Sequence, residues 1–242
     1  MRKQKMIFGV AALAACAASP AHADDYKVYS LVAVKGEFAL EANTNYDTDH
    51  RAANNNYLSE VAGFEYGISD WWQTEVSAEL EKENHGSMKA TNLKWENIFV
   101  PFKPGEKFVD LGFYVEFEKA LQSGDPNNLE GKLLLEKSIG DYTHTANLIL
   151  SHEIGTNHSG DTGTGFSWRT KYRFDKEFQP GFEYYADTGP LAEHVSFQDQ
   201  THQVGPVAEG KIGPIKYDTG VLFGVSQSAP DATFKLNLEY EF

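Results

Sequence analysis

The chain has 242 residues, with 21 Lys and Arg against 35 Asp and Glu, a net charge of −14 at pH 7. This acid surplus argues against a nucleic-acid-binding surface, since phosphates need basic partners, and the single cysteine excludes a disulfide within one chain. A mean hydropathy of −0.46 with 13% aromatics argues against helical membrane spans of roughly 20 apolar residues, but suits strands whose every second residue meets water.

At the N-terminus, Arg2, Lys3 and Lys5 precede the apolar run from Met6 to Ala18, and Ala21-His22-Ala23 offers a small-x-small cleavage site. Residues 1–23 are therefore expected to be a secretory signal peptide. Its removal leaves 18 basic against 35 acidic residues and takes away the cysteine. The alternative is Leu13-Ala14-Ala15-Cys16, which resembles a lipoprotein signal with Cys16 as the lipidated residue. In residues 24–35, Val28, Ser30, Val32 and Val34 alternate with Tyr29, Leu31 and Ala33, so both faces are apolar. This lead is expected to extend the first strand or to fold into the periplasmic mouth as a partial plug.

Twelve alternating segments of about ten residues follow: 36–46, 57–67, 71–82, 91–101, 108–119, 129–138, 142–153, 164–174, 178–188, 202–212, 215–226 and 232–242. Their connections fall into two alternating classes. Ile68-Ser69-Asp70, Phe102 to Lys107, Ile139-Gly140-Asp141, Asp175-Lys176-Glu177 and Gly213-Pro214 are short and carry turn chemistry. Those at 47–56, 83–90, 120–128, 154–163, 189–201 and 227–231 are mostly longer.

The faces separate cleanly in several segments. In the third, Trp72, Thr74, Val76, Ala78 and Leu80 oppose Gln73, Glu75, Ser77, Glu79 and Glu81; in the eighth, Phe166, Trp168, Thr170, Tyr172 and Phe174 oppose Ser167, Arg169, Lys171 and Arg173. The second, seventh and tenth are less regular, and Glu60 and Glu65 fall on opposite faces of the second. The last segment is the most regular: Phe234, Leu236, Leu238, Tyr240 and Phe242 alternate with Lys235, Asn237, Glu239 and Glu241.

That ending resembles the last strand of a bacterial outer-membrane β-barrel, in which a terminal Phe is read by the assembly machinery. Tyr240 and Phe242 would be that signal. The resemblance and the alternating connections together imply an all-β fold, a transmembrane antiparallel up-and-down barrel of about 12 strands over residues 36–242, with its short turns in the periplasm. The stretch from Phe64-Glu65-Tyr66-Gly67 through Ile68-Ser69-Asp70 to Trp71-Trp72-Gln73-Thr74-Glu75-Val76 is similar to a hairpin of the MetA-pathway-of-phenol-degradation family. That likeness implies a small barrel with a role in the passage of small molecules, and brings no catalytic residues.

In lipid the apolar set must face out, because Arg or Lys on the lipid face costs on the order of 2–4 kcal/mol at mid-bilayer. The charged set then lines the interior: Glu75, Glu79, Asp110, Glu116, Lys132, Glu136, Arg169, Lys171, Arg173, Glu183, Lys216, Asp218, Lys235 and Glu239. Barrels of about eight strands are filled by side chains and those of sixteen or more hold an aqueous channel. Twelve lies between. A pore with acidic strands three and five opposite a basic eighth would pass small hydrophilic or amphiphilic solutes by charge and size. A plugged, ion-paired interior is the alternative, leaving a structural or adhesive barrel. A lipid hydrolase would need Ser151 and His152 to act together, yet neighbours in a strand point to opposite faces. His50, His85, His158, His194 and His202 lack the close spacing of a ligand pair, so neither metal nor cofactor is expected. The expected partners are outer-membrane lipid, the barrel-assembly machinery and a small solute; the sequence sets no oligomeric state.

Overall fold

A computed structural model describes residues 26–52 and 54–242. The signal peptide expected over residues 1–23 and the lipidation alternative at Cys16 lie outside the described residues. The alternating segments become twelve strands: β1 (Phe38–Thr48), β2 (Tyr57–Ser69), β3 (Trp72–Lys82), β4 (Lys89–Phe99), β5 (Asp110–Ala120), β6 (Asn127–Ile139), β7 (Tyr142–Ile154), β8 (Thr162–Tyr172), β9 (Gln179–Pro190), β10 (Thr201–Ile212), β11 (Ile215–Gly224) and β12 (Ala232–Glu241). Each pairs with its neighbours in sequence, and β12 returns to β1 to close an antiparallel barrel. The closing register runs from Ala39 opposite Glu241 to Thr48 opposite Ala232. Closure is what a hydrocarbon environment requires, since each unpaired N–H or C=O of an open edge would cost several kcal/mol there.

Local chemistry sets the rims. Gly140 and Gly213, both with positive φ near 60°, occupy the first positions of two-residue turns that join Ile139 to Tyr142 and Ile212 to Ile215, where a left-handed residue matches the strand twist. Two of the connections expected to be tight are longer: residues 100–109 and 173–178 lie outside strands. In the first, Pro101 and Pro104 lack the backbone N–H that would extend β4. β1 begins at Phe38 rather than at residue 36 because Gly36 adopts φ +80°, a left-handed conformation that ends an extended run.

The barrel is apolar outside and polar inside. Val76, Trp95 and Phe223 are more than half exposed, whereas Glu75, Lys94, Glu116, Lys132, Glu183 and Lys235 are buried. The exposed apolar belt is the face for lipid, with Trp71, Tyr142, Phe174 and Tyr240 near strand ends, where amphipathic rings meet the membrane interfaces. In β2, Ser59, Val61, Gly63 and Glu65 turn inward while Ala62, Phe64 and Tyr66 turn outward.

Candidate channel lumen

Residues 26–31 run through the interior of the barrel without joining its sheet, the chain emerges over residues 32–35, and Gly36 and Glu37 then bond the backbone of Gly67 in β2. Tyr29 is the anchor. Its N–H donates to Asn147 Oδ1 and its carbonyl accepts from Asn147 Nδ2, both at 2.9 Å, so one amide side chain of β7 substitutes for a ladder partner. Tyr29 Oη donates to Glu96 at 2.9 Å. Its ring packs 4.5 Å from that of Tyr114, and Lys132 Nζ lies 4.2 and 4.4 Å from the two ring centroids, within cation–π range.

The segment is also held on either side of Tyr29. Tyr185 Oη, 2.8 Å from both the Tyr26 carbonyl and the Glu183 carboxylate, shares its proton between two acceptors. Arg169 Nη2 donates to Ser30 Oγ at 2.7 Å. Leu31 joins a buried cluster with Ile98, Val100, Tyr114 and Leu134. It fits because β5 carries Gly112, where a Cβ would stand 2.5 Å from Leu31 Cδ2. At the exit, a Cβ on Gly67 would stand 1.8 Å from the Val34 carbonyl oxygen.

The wall formed by β8 to β12 neutralises itself. Lys235 Nζ, fully buried, donates to Glu183 at 2.6 Å and to Asp218 at 2.8 Å. Arg169 Nη1 lies 2.8 Å from Glu209, and Lys171 pairs with the same carboxylate. Nearer the short-turn rim, Lys216 pairs with Glu239 at 2.9 Å and with Glu241, which also meets Lys211. The cations of β8 therefore end on acids of β9, β10 and β11 rather than projecting a field toward β3 and β5.

The wall formed by β1 to β4 is different. Glu41, Glu65 and Glu75 are all buried, with one carboxylate oxygen of each within 4.8 Å of the others. Two like charges at that separation repel by roughly 3 kcal/mol at an effective dielectric near 20. The cation that reaches this group comes from the N-terminal segment: Lys27 Nζ lies 2.5 Å from both oxygens of Glu41. Between the two walls is a cavity of about 440 Å³. Residues 27–30, Glu41, Asn43, Glu65 and Glu136 border it, and it reaches the short-turn rim at Lys176 and Lys211. Inward residues nearer the long loops, such as Asp47, Glu79, Lys94 and Gln203, do not border it.

No family model matches the sequence, and no curated protein is detectably similar to it. Solved structures are similar in fold. The COG4313 outer-membrane channel of Pseudomonas putida F1 superposes with a TM-score of 0.63 at 11% identity, covering 88% of this chain and 98% of that one. The KdgM porin gives 0.58 at 11% identity, covering 84% and 99%. The NanC porin gives 0.58 at 8% identity, covering 84% and 100%. The chain is a small outer-membrane β-barrel. These likenesses show its fold, which is that implied by the C-terminal strand and the Phe64 to Val76 hairpin.

Within this barrel, most of the charged residues expected to face inward do so. Glu79 accepts from Ser59 at 3.3 Å and Asn92 at 3.0 Å, with Lys94 Nζ 3.3 Å away. Glu116 accepts from Tyr114 Oη at 2.7 Å, and Glu136 from Thr145 at 3.1 Å. Two stand apart from the rest. Asp110 accepts from the Gly105 N–H at 2.7 Å, beside the connection at 100–109, and Arg173 lies exposed just past the end of β8, bonded to Ser138, Thr143 and the Gly140 carbonyl. Arg173 braces the rim.

Sequence reasoning did not single out Lys27, Asn147, Tyr114, Tyr185 and Glu65. The inward Tyr114 and Tyr185 were the available signal, since apolar rings on a polar face imply something to pack against. Ser151 and His152 do not come together. Ser151 turns inward over Gly163, and His152 Nδ1 lies 3.0 Å from the Asp161 carbonyl and 3.2 Å from Thr162 Oγ1. On the long-loop side, Asp49, His50 and Asp231 approach one another, but Asp49 is taken by Arg51, which also donates to the carbonyls of Gln227, Ser228 and Ala229. Burial alone would raise the Asp49 pKa; hydrogen bonds and charge from Arg51 outweigh it and hold the carboxyl below its ordinary value.

Proposed function

We propose that this barrel is an outer-membrane channel for small hydrophilic or amphiphilic solutes, and that the described conformation is its closed state. The observation that carries this reading is the position of residues 26–35. They cross a charged, cavity-bearing lumen on side-chain bonds rather than as a strand of the sheet. Residues 26–35, held in this way, can leave without breaking any pairing of the twelve strands, because the backbone bonds to β2 begin at Gly36. The lumen it would uncover is lined by Glu41, Glu65, Glu136, Arg169, Lys171, Lys216, Asp218 and Glu239, a surface suited to polar solutes of either charge.

Reconstitution into planar bilayers tests the proposal. The full barrel should show infrequent, small conductance steps, and a variant lacking residues 24–35 should show frequent and larger ones, with ion selectivity altered by replacing Arg169 and Lys171. Tight bilayers at every voltage with both proteins would overturn it. That outcome would favour a non-conducting structural or adhesive barrel, the reading supported by the dense packing of Asp47, Gln203 and Thr233 on the long-loop side. The exposed Phe242, whose N–H donates to Phe38 O at 3.0 Å, is the residue we assign to recognition by the assembly machinery.

A further inference from the structure

We infer that Glu41, Glu65 and Glu75 form a calcium site inside the barrel, and that Lys27 is a tethered cation competing for it. Carboxylate oxygens within 4.8 Å of one another fit on one coordination sphere of about 2.4 Å radius, the range of Ca²⁺–oxygen bonds. A Mg²⁺ sphere of about 2.1 Å radius spans less, and Mg²⁺ gives up its water reluctantly. Three carboxylates offer up to six hard oxygens, the donor type that selects such ions over softer metals.

Crowded acids alone would not make a site, and two further observations point to a ligand. Glu65 and Glu75 are each more than nine-tenths buried and hold no hydrogen bond or ion pair among the described residues, although most other buried lumen carboxylates have one. Asn43, equally buried, donates through Nδ2 to Glu41 Oε1 at 2.5 Å, while its Oδ1 is left with no partner among the described residues. It is a neutral oxygen of the kind that completes calcium coordination. Glu41, Asn43 and Glu65 all border the cavity that reaches the short-turn rim, which gives the ion a path and room for its remaining waters.

Lys27 already occupies part of this position, with its ammonium on both oxygens of Glu41. Binding of Ca²⁺ would displace that ammonium and remove one of the bonds holding residues 26–37. The site is independent of whether the barrel conducts.

The test is calcium titration of the full barrel, purified in neutral detergent, by calorimetry and by terbium luminescence. The wild type should bind one ion at millimolar concentration or below. Glu65→Gln with Glu75→Gln should weaken binding at least tenfold, and Lys27→Met should tighten it at least tenfold by removing the competitor. Asp231→Asn, which alters the acidic group at the long-loop rim, should leave it unchanged. Heat-modifiable migration on gels confirms that each variant is folded. Absence of binding by both wild type and Lys27→Met overturns the inference. So does binding that survives the double Gln variant or disappears with Asp231→Asn.

Discussion

The two walls of the lumen carry similar residues and solve their charge problem in opposite ways. Along β8 to β12, the Lys and Arg side chains Arg169, Lys171 and Lys235 interleave with Glu183, Glu209 and Asp218, so the wall is complete without help. Along β1 to β3, Glu41, Glu65 and Glu75 face one another, and the balancing charge of Lys27 arrives on a segment outside the sheet. Built-in pairing makes a wall a structural part of the barrel. Borrowed charge makes it responsive, because whatever removes Lys27 changes the field inside the lumen.

The largest effect should come from breaking the self-neutralised wall. Lys235→Met leaves Glu183 and Asp218 buried around an apolar side chain, and losing one partner of a buried ion pair costs about 3–5 kcal/mol. Urea unfolding in detergent should register that loss. The same change made together with Glu183→Met and Asp218→Asn should recover most of it, since replacing a whole buried cluster by apolar groups is often neutral. A barrel indifferent to Lys235→Met would mean that water reaches this wall.

The next effect separates the N-terminal segment from the barrel. Asn147→Leu removes both bonds to the Tyr29 backbone, leaving a buried donor and acceptor unsatisfied at about 1–3 kcal/mol each. The cost falls on the segment, which can withdraw, and not on the sheet. Gly67→Ala attacks the same segment at its exit, where the new methyl would collide with the backbone at Val34. Limited proteolysis should then cut residues 26–37 while the barrel keeps its unfolding midpoint. Joint loss of segment and barrel would show that the segment is part of the folded core.

How much of this was legible in the sequence follows the same division. Strict alternation at Phe234 to Phe242 and the short connections at Gly140 and Gly213 determine strands, faces and closure, because period two is a property of single strands. Which cation meets which acid depends on how far neighbouring strands are staggered. Arg169 of β8 finds its partner on β10, two strands away. The alternation of β8 puts Arg169 on the inner face without showing that neighbour. The path of Tyr26 to Lys35 was legible only as two apolar faces, since its bonds come from six or more separate strands. The acidic cluster was hidden for a third reason. No spacing along the chain marks these acids as neighbours: Glu41, Glu65 and Glu75 are gathered by cross-strand register, with Glu65 directly opposite Glu75.

On the acid wall, Glu65→Gln should stabilise the barrel in calcium-free detergent. It removes a buried like-charge contact while keeping shape, for a gain on the order of 1 kcal/mol once Lys27 screening is allowed for. The matching change on the other wall, Glu209→Gln, should destabilise instead, because Arg169 and Lys171 lose their shared counter-ion. Opposite signs for two identical substitutions are the sharpest test of the contrast, read from paired unfolding midpoints. Equal signs would erase it.

The smallest effect lies at the long-loop rim, where Arg51 ties Asp49 to the carbonyls of residues 227–229. The Asp49 carboxyl titrates lower in the folded barrel than in the unfolded chain. The latch therefore contributes its full stability above the unfolded value of about 3.9, and that contribution is lost as pH falls through the lower folded value. Hydrogen exchange in residues 49–56 and 225–231, normalised to the pH-dependent intrinsic rate, should stay flat from neutrality to about pH 4 and rise only below it. Asp49→Asn should abolish that rise by removing the titrating group and raise exchange at neutral pH. The barrel walls should be untouched by this variant, since Asp49 lies beyond β1 and its carboxylate is held by Arg51, which otherwise donates to loop carbonyls. A rise in exchange already complete near pH 6 would show that the Asp49 carboxylate does not control the latch.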